Sequence, residues 1–180
     1  MSLRSLCYDC CDERHVAETT RPVVDAEFEA NRQATIAALS GPRYDNVRDG
    51  VERAQAAFSE IPPDGKGAIR NTFAAAEGLF KLLLPSQNKL NGAGARSLTA
   101  LVESAYQGDD AAAAAAAETV ASFSEWADAA HHYRHEQGSE KIIQPPLELA
   151  VNLVSLGNSF VRWLAELDAT SSADPVRGRA

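Results

Sequence analysis

Three of the four histidines fall within five consecutive positions of Trp126-Ala-Asp-Ala-Ala-His-His-Tyr-Arg-His-Glu-Gln-Gly138, beside Asp128 and Arg134. Such a set is open to three chemistries. Histidine donates and accepts protons near neutrality, and arginine holds a phosphate and its developing charge, so acid/base chemistry on RNA is one. Metal chelation is the second: His131 and His135 are four apart, with Asp128 as third ligand. That set is only partial, with no His-Glu-x-x-His pattern and no second carboxylate motif, and no resident metal or cofactor is implied. The third is a polar helix end, where cationic groups meet the C-terminal dipole and Gly138 stops the helix.

Glu77 and Lys81, also four apart, stand in the favourable order for a helical ion pair. Glu77 borders an apolar stripe between Phe73 and Leu84. It is read either as half of a solvated pair or as a carboxylate turned toward the arginine and histidine cluster. All three cysteines lie in Cys7-Tyr-Asp-Cys10-Cys11. With His15 they make part of a zinc set, but a closed site needs a fourth ligand, and the other reading is a reduced tail.

Helices must position these groups. The alanine content, with few aromatic residues and 8 prolines, favours close-packed helix over sheet. A first helix is predicted over residues 22–39, with Pro22 in its first turn and Ser40-Gly41-Pro42 as its stop. The next carries Val47, Val51, Ala54, Phe58 and Ile61 at three- and four-residue spacing, and Pro62-Pro63-Asp64-Gly65 breaks it. A third, over 66–84, puts Ile69, Phe73, Ala76, Phe80 and Leu83 on one face. Pro85 ends it, residues 88–94 form a loop, and a fourth helix spans 95–106.

The fifth opens on Asp109-Asp110, acids suited to a helix N-terminus, and continues to about residue 135. Its seven-alanine run is read as a surface for close helix approach. At about 100° per residue, Phe123, Trp126, Ala130 and Tyr133 share the core face. Asp128, His131, His132 and His135 fall nearly opposite, facing solvent or a second subunit, with Arg134 at the border. The last helix, over 146–168, gathers Glu148, Asn152, Ser155, Ser159, Arg162 and Glu166 into one polar arc. The rest of its circumference, with Leu147, Val151, Val154, Phe160, Val161, Trp163 and Leu164, is apolar, as expected of a central helix.

These elements make an all-α bundle of about five or six helices. The division expected is a flexible tail over 1–20, one bundle domain over 21–168, and a disordered tail over 169–180. A net charge of −8 and a pI near 5 argue against a molecule-wide field that draws nucleic acid or anionic lipid. The most apolar segment, 147–167, carries Glu148, Asn152, Arg162 and Glu166, so no membrane association is expected. The first 16 residues hold no apolar core of a signal peptide, and a cytoplasmic protein is the expectation.

Ala68-Ile-Arg-Asn-Thr-Phe-Ala-Ala-Ala-Glu77-Gly-Leu-Phe-Lys81 resembles the Glu-x-x-x-Lys helix of the HEPN superfamily. The nearest branch is the C-terminal domain of bacterial abortive-infection proteins. Arg134-His-Glu-Gln-Gly138, the prolines after it and the Ala150-Val-Asn-Leu-Val-Ser-Leu helix resemble the segment that follows in those proteins. The likeness covers roughly residues 65–168. It implies a helical bundle that forms homodimers, works in phage defence or stress response, and binds RNA or nucleotide.

Many HEPN domains are metal-independent ribonucleases, with an arginine, a polar residue and a histidine a turn or more further along. Here Arg134 matches the arginine, but Ser139, Glu140 and Lys141 stand where that histidine would be. The resemblance implies Arg134 as phosphate clamp, His135 as substitute acid/base and Glu77 as supporting carboxylate, with His131, His132, Asp128, Arg70 and Lys81 as binding groups. Loss of the histidine fits a non-catalytic binding member as well as a divergent nuclease. The competing reading is a protein-interaction module with no nucleic-acid role.

Overall fold

The computed structural model describes residues 24–134 and 143–173, with side chains to 170. Every regular element among them is helical. The helices are α1 (Ala26–Ala38), α2 (Asp45–Phe58), α3 (Gly65–Leu83), a single turn α4 (Gly92–Ala95), α5 (Thr99–Ala105), α6 (Asp110–Arg134) and α7 (Leu147–Ala173). Six of them run seven residues or more, which is the expected all-α bundle. Short 3-10 turns at Pro42–Tyr44 and Arg96–Leu98 lead into α2 and α5.

Local chemistry sets most of the boundaries. The Asp25 carboxylate accepts the Phe28 amide at 2.8 Å and caps α1 at Ala26, while Pro22 lies outside the described residues. Asp64 caps α3 through the Gly67 amide at 2.9 Å, Asn91 caps α4 through Gly94 at 2.7 Å, and Asp109 caps α6 through Ala112 at 2.9 Å. The helix predicted over 95–106 is broken into a turn, a 3-10 segment and α5. Helix α7 runs on to Ala173, beyond the predicted end at Asp168.

Helix α3 is the hub. It packs against α2, α6 and α7, while α7 also carries α1, and α4 and α5 lie on α6. Ile69, Phe73, Ala76 and Phe80 of the predicted stripe are fully buried, and Leu83 is partly so. Val47, Val51, Ala54 and Phe58 likewise enter the core, but Ile61 is 99% exposed. The reason is that α2 ends at Phe58, so the helical spacing no longer governs Ile61.

At Gly50, α2 approaches α3 closely enough that a Cβ there would stand 2.9 Å from the Ala75 Cβ. A tighter approach occurs at Gly157 on α7. A methyl group there would meet Thr72 Cγ2 of α3 at 2.5 Å and Trp126 Cζ2 of α6 at 2.6 Å. Three helices therefore cross at a point that only glycine leaves room for.

Trp126 makes that crossing cohesive. Its ring stacks on Phe73 at 6.0 Å and on Phe123 at 5.6 Å, and its Nε1 donates to the Leu153 carbonyl at 2.8 Å. Buried Thr35 joins α1 to α7 by donating to the Asn158 carbonyl at 3.1 Å. At the far end of α7, Asp168 receives Tyr44 Oη at 2.6 Å and Arg43 Nε at 2.8 Å.

Two surfaces are only partly as expected. Of the seven consecutive alanines at the start of α6, Ala116 is buried, Ala112, Ala113 and Ala117 are half-buried, and Ala111, Ala114 and Ala115 are exposed, so one side of the run is covered and the other faces solvent. Because α5 is short, only part of that face has a neighbour. The polar arc of α7 is present, with Leu149 and Leu156 along its border at 37% and 43% exposure, and Leu147 of the apolar set is 37% exposed. No helix among the described residues is long and apolar enough to cross a membrane.

Candidate functional site

A cleft of about 480 Å³ opens between α3, the end of α6 and the loop of residues 84–91 that leads to α4. Helix α3 contributes Glu77 and Lys81, and α6 contributes Asp128, His131 and Arg134. The loop closes the third side with Asn88, Lys89, Leu90 and Asn91. The volume lies within the usual range of small-ligand sites, about 300–1,000 Å³.

The helix geometry explains the convergence. Phe73, Glu77 and Lys81 recur at four-residue spacing, which keeps them along one face of α3. Asp128, His131 and Arg134 recur at three-residue spacing, which winds slowly around one side of α6. Where the two helices pack, the rows face each other. Buried Leu90 then pins the loop down.

Glu77 is the electrostatic centre. One carboxylate oxygen stands 3.4 Å from both Lys81 Nζ and Arg134 Nη2, and the other accepts the Leu90 amide at 3.2 Å. The side chain is 15% exposed. The solvated i,i+4 pair and the carboxylate turned toward Arg134 are thus one arrangement.

The Arg134 guanidinium lies over the Phe73 ring, 4.5 Å from its centroid. Such a contact contributes about 0.5–2 kcal/mol and holds the planar group in one orientation. The His131 ring meets the same phenyl edge-on at 6.2 Å.

Asp128 performs a different task. Its Oδ1 accepts the Gly92 amide at 2.8 Å, while Ser124 Oγ donates to the Gly92 carbonyl at 2.7 Å. Both groups of one peptide turn are fastened to α6, so the wall of the cleft is tied at Leu90 by Glu77 and at Gly92 by Asp128. Three cationic side chains, Lys81, Lys89 and Arg134, line the cleft against two carboxylates, Glu77 and Asp128, and Glu77 pairs with both Lys81 and Arg134. In a chain of net charge −8, this is a local cationic focus suited to an anion.

Asp128 is exposed and His131 half-buried, and the side of α6 expected to face solvent or a second subunit opens into a cleft. The loop before α4 folds over that side of α6, and both residues line an intramolecular cleft. His132 is exposed and does not line it, and neither does exposed Arg70. Tyr133, assigned to the core, is half-buried against it. His135 lies outside the described residues, as do Gly138, the three cysteines and His15. Among the described residues, no group of three His, Cys, Asp or Glu side chains is placed to hold a metal ion.

Lys89, Asn88 and Asn91 are site residues that sequence reasoning read only as loop. Nothing in their spacing marks them. The one signal is Leu90, an apolar residue alone in a polar loop, which makes sense if the loop docks on a helix face. No family model matches the chain, and no match is found among curated proteins or solved structures.

Proposed function

We propose that this chain is a HEPN-like helical module that binds a phosphate-bearing ligand, nucleotide or RNA, in the cleft between α3 and α6, and acts by binding. The observation that supports the reading most is the pairing of Glu77 with Arg134 across 57 residues of sequence. The HEPN resemblance implies those two residues as parts of one site. Arg134, oriented by Phe73, offers the planar donor fork that suits a phosphate, and Lys81 and Lys89 add charge beside it.

Hydrolysis needs more than a clamp. A nuclease of this type requires a proton donor opposite its attacking group, and Ser139, Glu140 and Lys141 replace the histidine of the usual pattern. Binding is therefore the reading adopted, within phage defence or stress response and as a homodimer, as the resemblance implies.

The test is titration of the purified chain with inorganic phosphate and short RNA by calorimetry, beside Arg134→Ala and Lys81→Ala. Binding that weakens about tenfold or more in each variant supports the reading, that being the scale of one charge-assisted hydrogen bond or more. RNA cleavage that persists in EDTA and disappears with Arg134→Ala would replace binding by catalysis.

A second reading, a protein-interaction module, is favoured by the exposed Leu149 and Leu156, which border the polar face of α7 one helical repeat apart. It predicts no response to phosphate and a protein partner lost on Leu149→Asp/Leu156→Asp.

A further inference from the structure

One flank of α7 is left open by the other described helices and carries a row of large apolar residues. At about 100° per residue, Leu149, Leu156, Phe160 and Trp163 fall within about 60° of arc. Leu149 is 37% exposed and Leu156 43%, and Phe160 and Trp163 are half-buried. The row is walled on both sides. On one, Asn31 of α1 donates to the Ser155 carbonyl at 2.9 Å and receives Ser159 Oγ at 3.4 Å. On the other, Phe160 packs on Phe123 of α6 at 5.2 Å, and Trp163 Nε1 donates at 3.2 Å to Tyr106 Oη, just beyond α5. The result is a groove about 21 Å long, from Leu149 to Trp163 at 1.5 Å per residue, with α7 as its floor.

The chain enters the bundle beside the near end of this groove. Thr35 meets Asn158 and Arg43 meets Asp168, so α1 and the turn after it run in the same direction as α7. Asn31 stands by Ser155, and counting back from it puts Val24 level with the first two turns of α7, where it is half-buried against the core. Twenty-three residues precede Val24. Eight of the first sixteen are apolar: Met1, Leu3, Leu6, Tyr8, Val16 and the three cysteines, whose thiols behave as small hydrophobes. Such a composition favours burial over solvation. At full extension those sixteen residues reach about 50 Å, so they span the groove with residues 17–23 left as a connection.

We propose that this groove is the seat of the chain's own N-terminal segment, residues 1–16, which lays its leucines against Leu149, Leu156 and Trp163. A second copy of α7 is the poorer occupant. The row is one residue wide, and beside it on the α1 side stand Asn152, Ser159 and Glu166. Two α7 helices brought face to face would therefore bury polar groups in every other layer. A recessed single row takes apolar side chains from one tethered segment, and a short tether raises the effective concentration to about millimolar. The seat uses none of the residues that line the cleft between α3 and α6, so it stands or falls apart from phosphate binding.

All three thiols of the chain, Cys7, Cys10 and Cys11, lie in this segment, so their labelling rate reads whether it is seated. The full chain, reduced and in EDTA, is labelled with N-ethylmaleimide at several protein concentrations. Beside it are run Leu149→Asp/Leu156→Asp, which alters the groove, and Leu3→Asp/Leu6→Asp, which alters only the segment. Each chain is compared with itself unfolded in urea, and circular dichroism confirms that both variants are folded. Labelling of the unsubstituted chain is expected to be slower than in urea by about tenfold or more, the protection given when docking is favoured by that factor. Both variants should lose the protection, and it should not depend on protein concentration.

Native labelling as fast as in urea overturns the proposal, and so does protection that the segment variant keeps. Protection that grows with concentration overturns it in favour of a second copy as the occupant.

Discussion

Glu77 stands 3.4 Å from Arg134 through the same carboxylate oxygen that faces Lys81. The carboxylate thus occupies the place, relative to two cations, that an anionic ligand would take. Any such ligand competes with it. Glu77→Gln keeps an oxygen for the Leu90 amide but removes the competing charge. Phosphate affinity is therefore expected to rise about threefold to tenfold, the worth of a partly screened ion pair. Isothermal titration at low and high salt checks this, and weaker binding by the variant would show that Glu77 positions Arg134 and does not compete with the ligand.

Gly157 gives a stability prediction of definite sign. Alanine is the better helix former by about 1 kcal/mol, yet its methyl group would stand 2.5 Å from Thr72 Cγ2 and 2.6 Å from Trp126 Cζ2. Overpacking of this kind costs about 1–3 kcal/mol. Both obstacles belong to buried, well-packed residues, so the steric cost is expected to win. Gly157→Ala should lower the urea midpoint, and a rise would show that α7 can shift at the crossing.

Tyr44 supplies an alkaline signature. Burial, reinforced by its hydrogen bond to Asp168, pushes its hydroxyl up to about 12 from an ordinary 10.0. The folded state therefore holds this proton more tightly than the unfolded chain does. Its contribution is fully present below pH 10 and is lost as pH rises toward 12. Tyr44→Phe should be less stable by about 1–2 kcal/mol at pH 8, with the gap to the native chain closing above pH 10. Paired urea melts from pH 8 to 12 measure it; a constant gap would mean that the loss is one of packing.

Glu29 gives the acid counterpart. The Arg32 guanidinium, with help from the Gln33 amide, holds its carboxyl down at about 2 from an ordinary 4.5. Here the contribution is present above pH 4.5 and is lost as pH falls toward 2. The side chain is 43% exposed, so salt screens the effect and keeps it small. Glu29→Gln should flatten the acid limb of the stability curve in low salt and leave it unchanged in high salt. Melts between pH 5 and 2 would expose any departure.

Much of the bundle was legible because its helices obey periodicity and end on chemical signals. The α3 stripe needed only the spacing of Ile69, Phe73, Ala76 and Phe80, and all four are buried. Ile61 failed because a stripe continued past the end of its helix has no physical basis. The alanine run gives a covered side and an exposed side, a division that a stretch of identical residues cannot encode.

For the site, spacing put Glu77 and Arg134 each on a helix face, and no pattern within either helix determines how two helices cross. Their meeting was therefore one of two alternatives, beside a solvated Glu77–Lys81 pair. Lys89 and Asn91 were hidden for a different reason. A loop has no period, and their role comes from amides fastened by Glu77 and Asp128 far along the chain.

The crossing at Gly157 has a bearing on the cleft, though it lies on other faces of the same helices. It sets the spacing of α3 and α6, and those two helices carry the facing rows Glu77–Lys81 and Asp128–Arg134. The aperture between the rows is thus held by interlocked rings and a missing methyl group, with little dependence on the charges that line it. A ligand entering there finds its contacts already arranged and forfeits little entropy in ordering them. One carbon added to α7, outside the cleft lining, would act as a wedge that changes the fit.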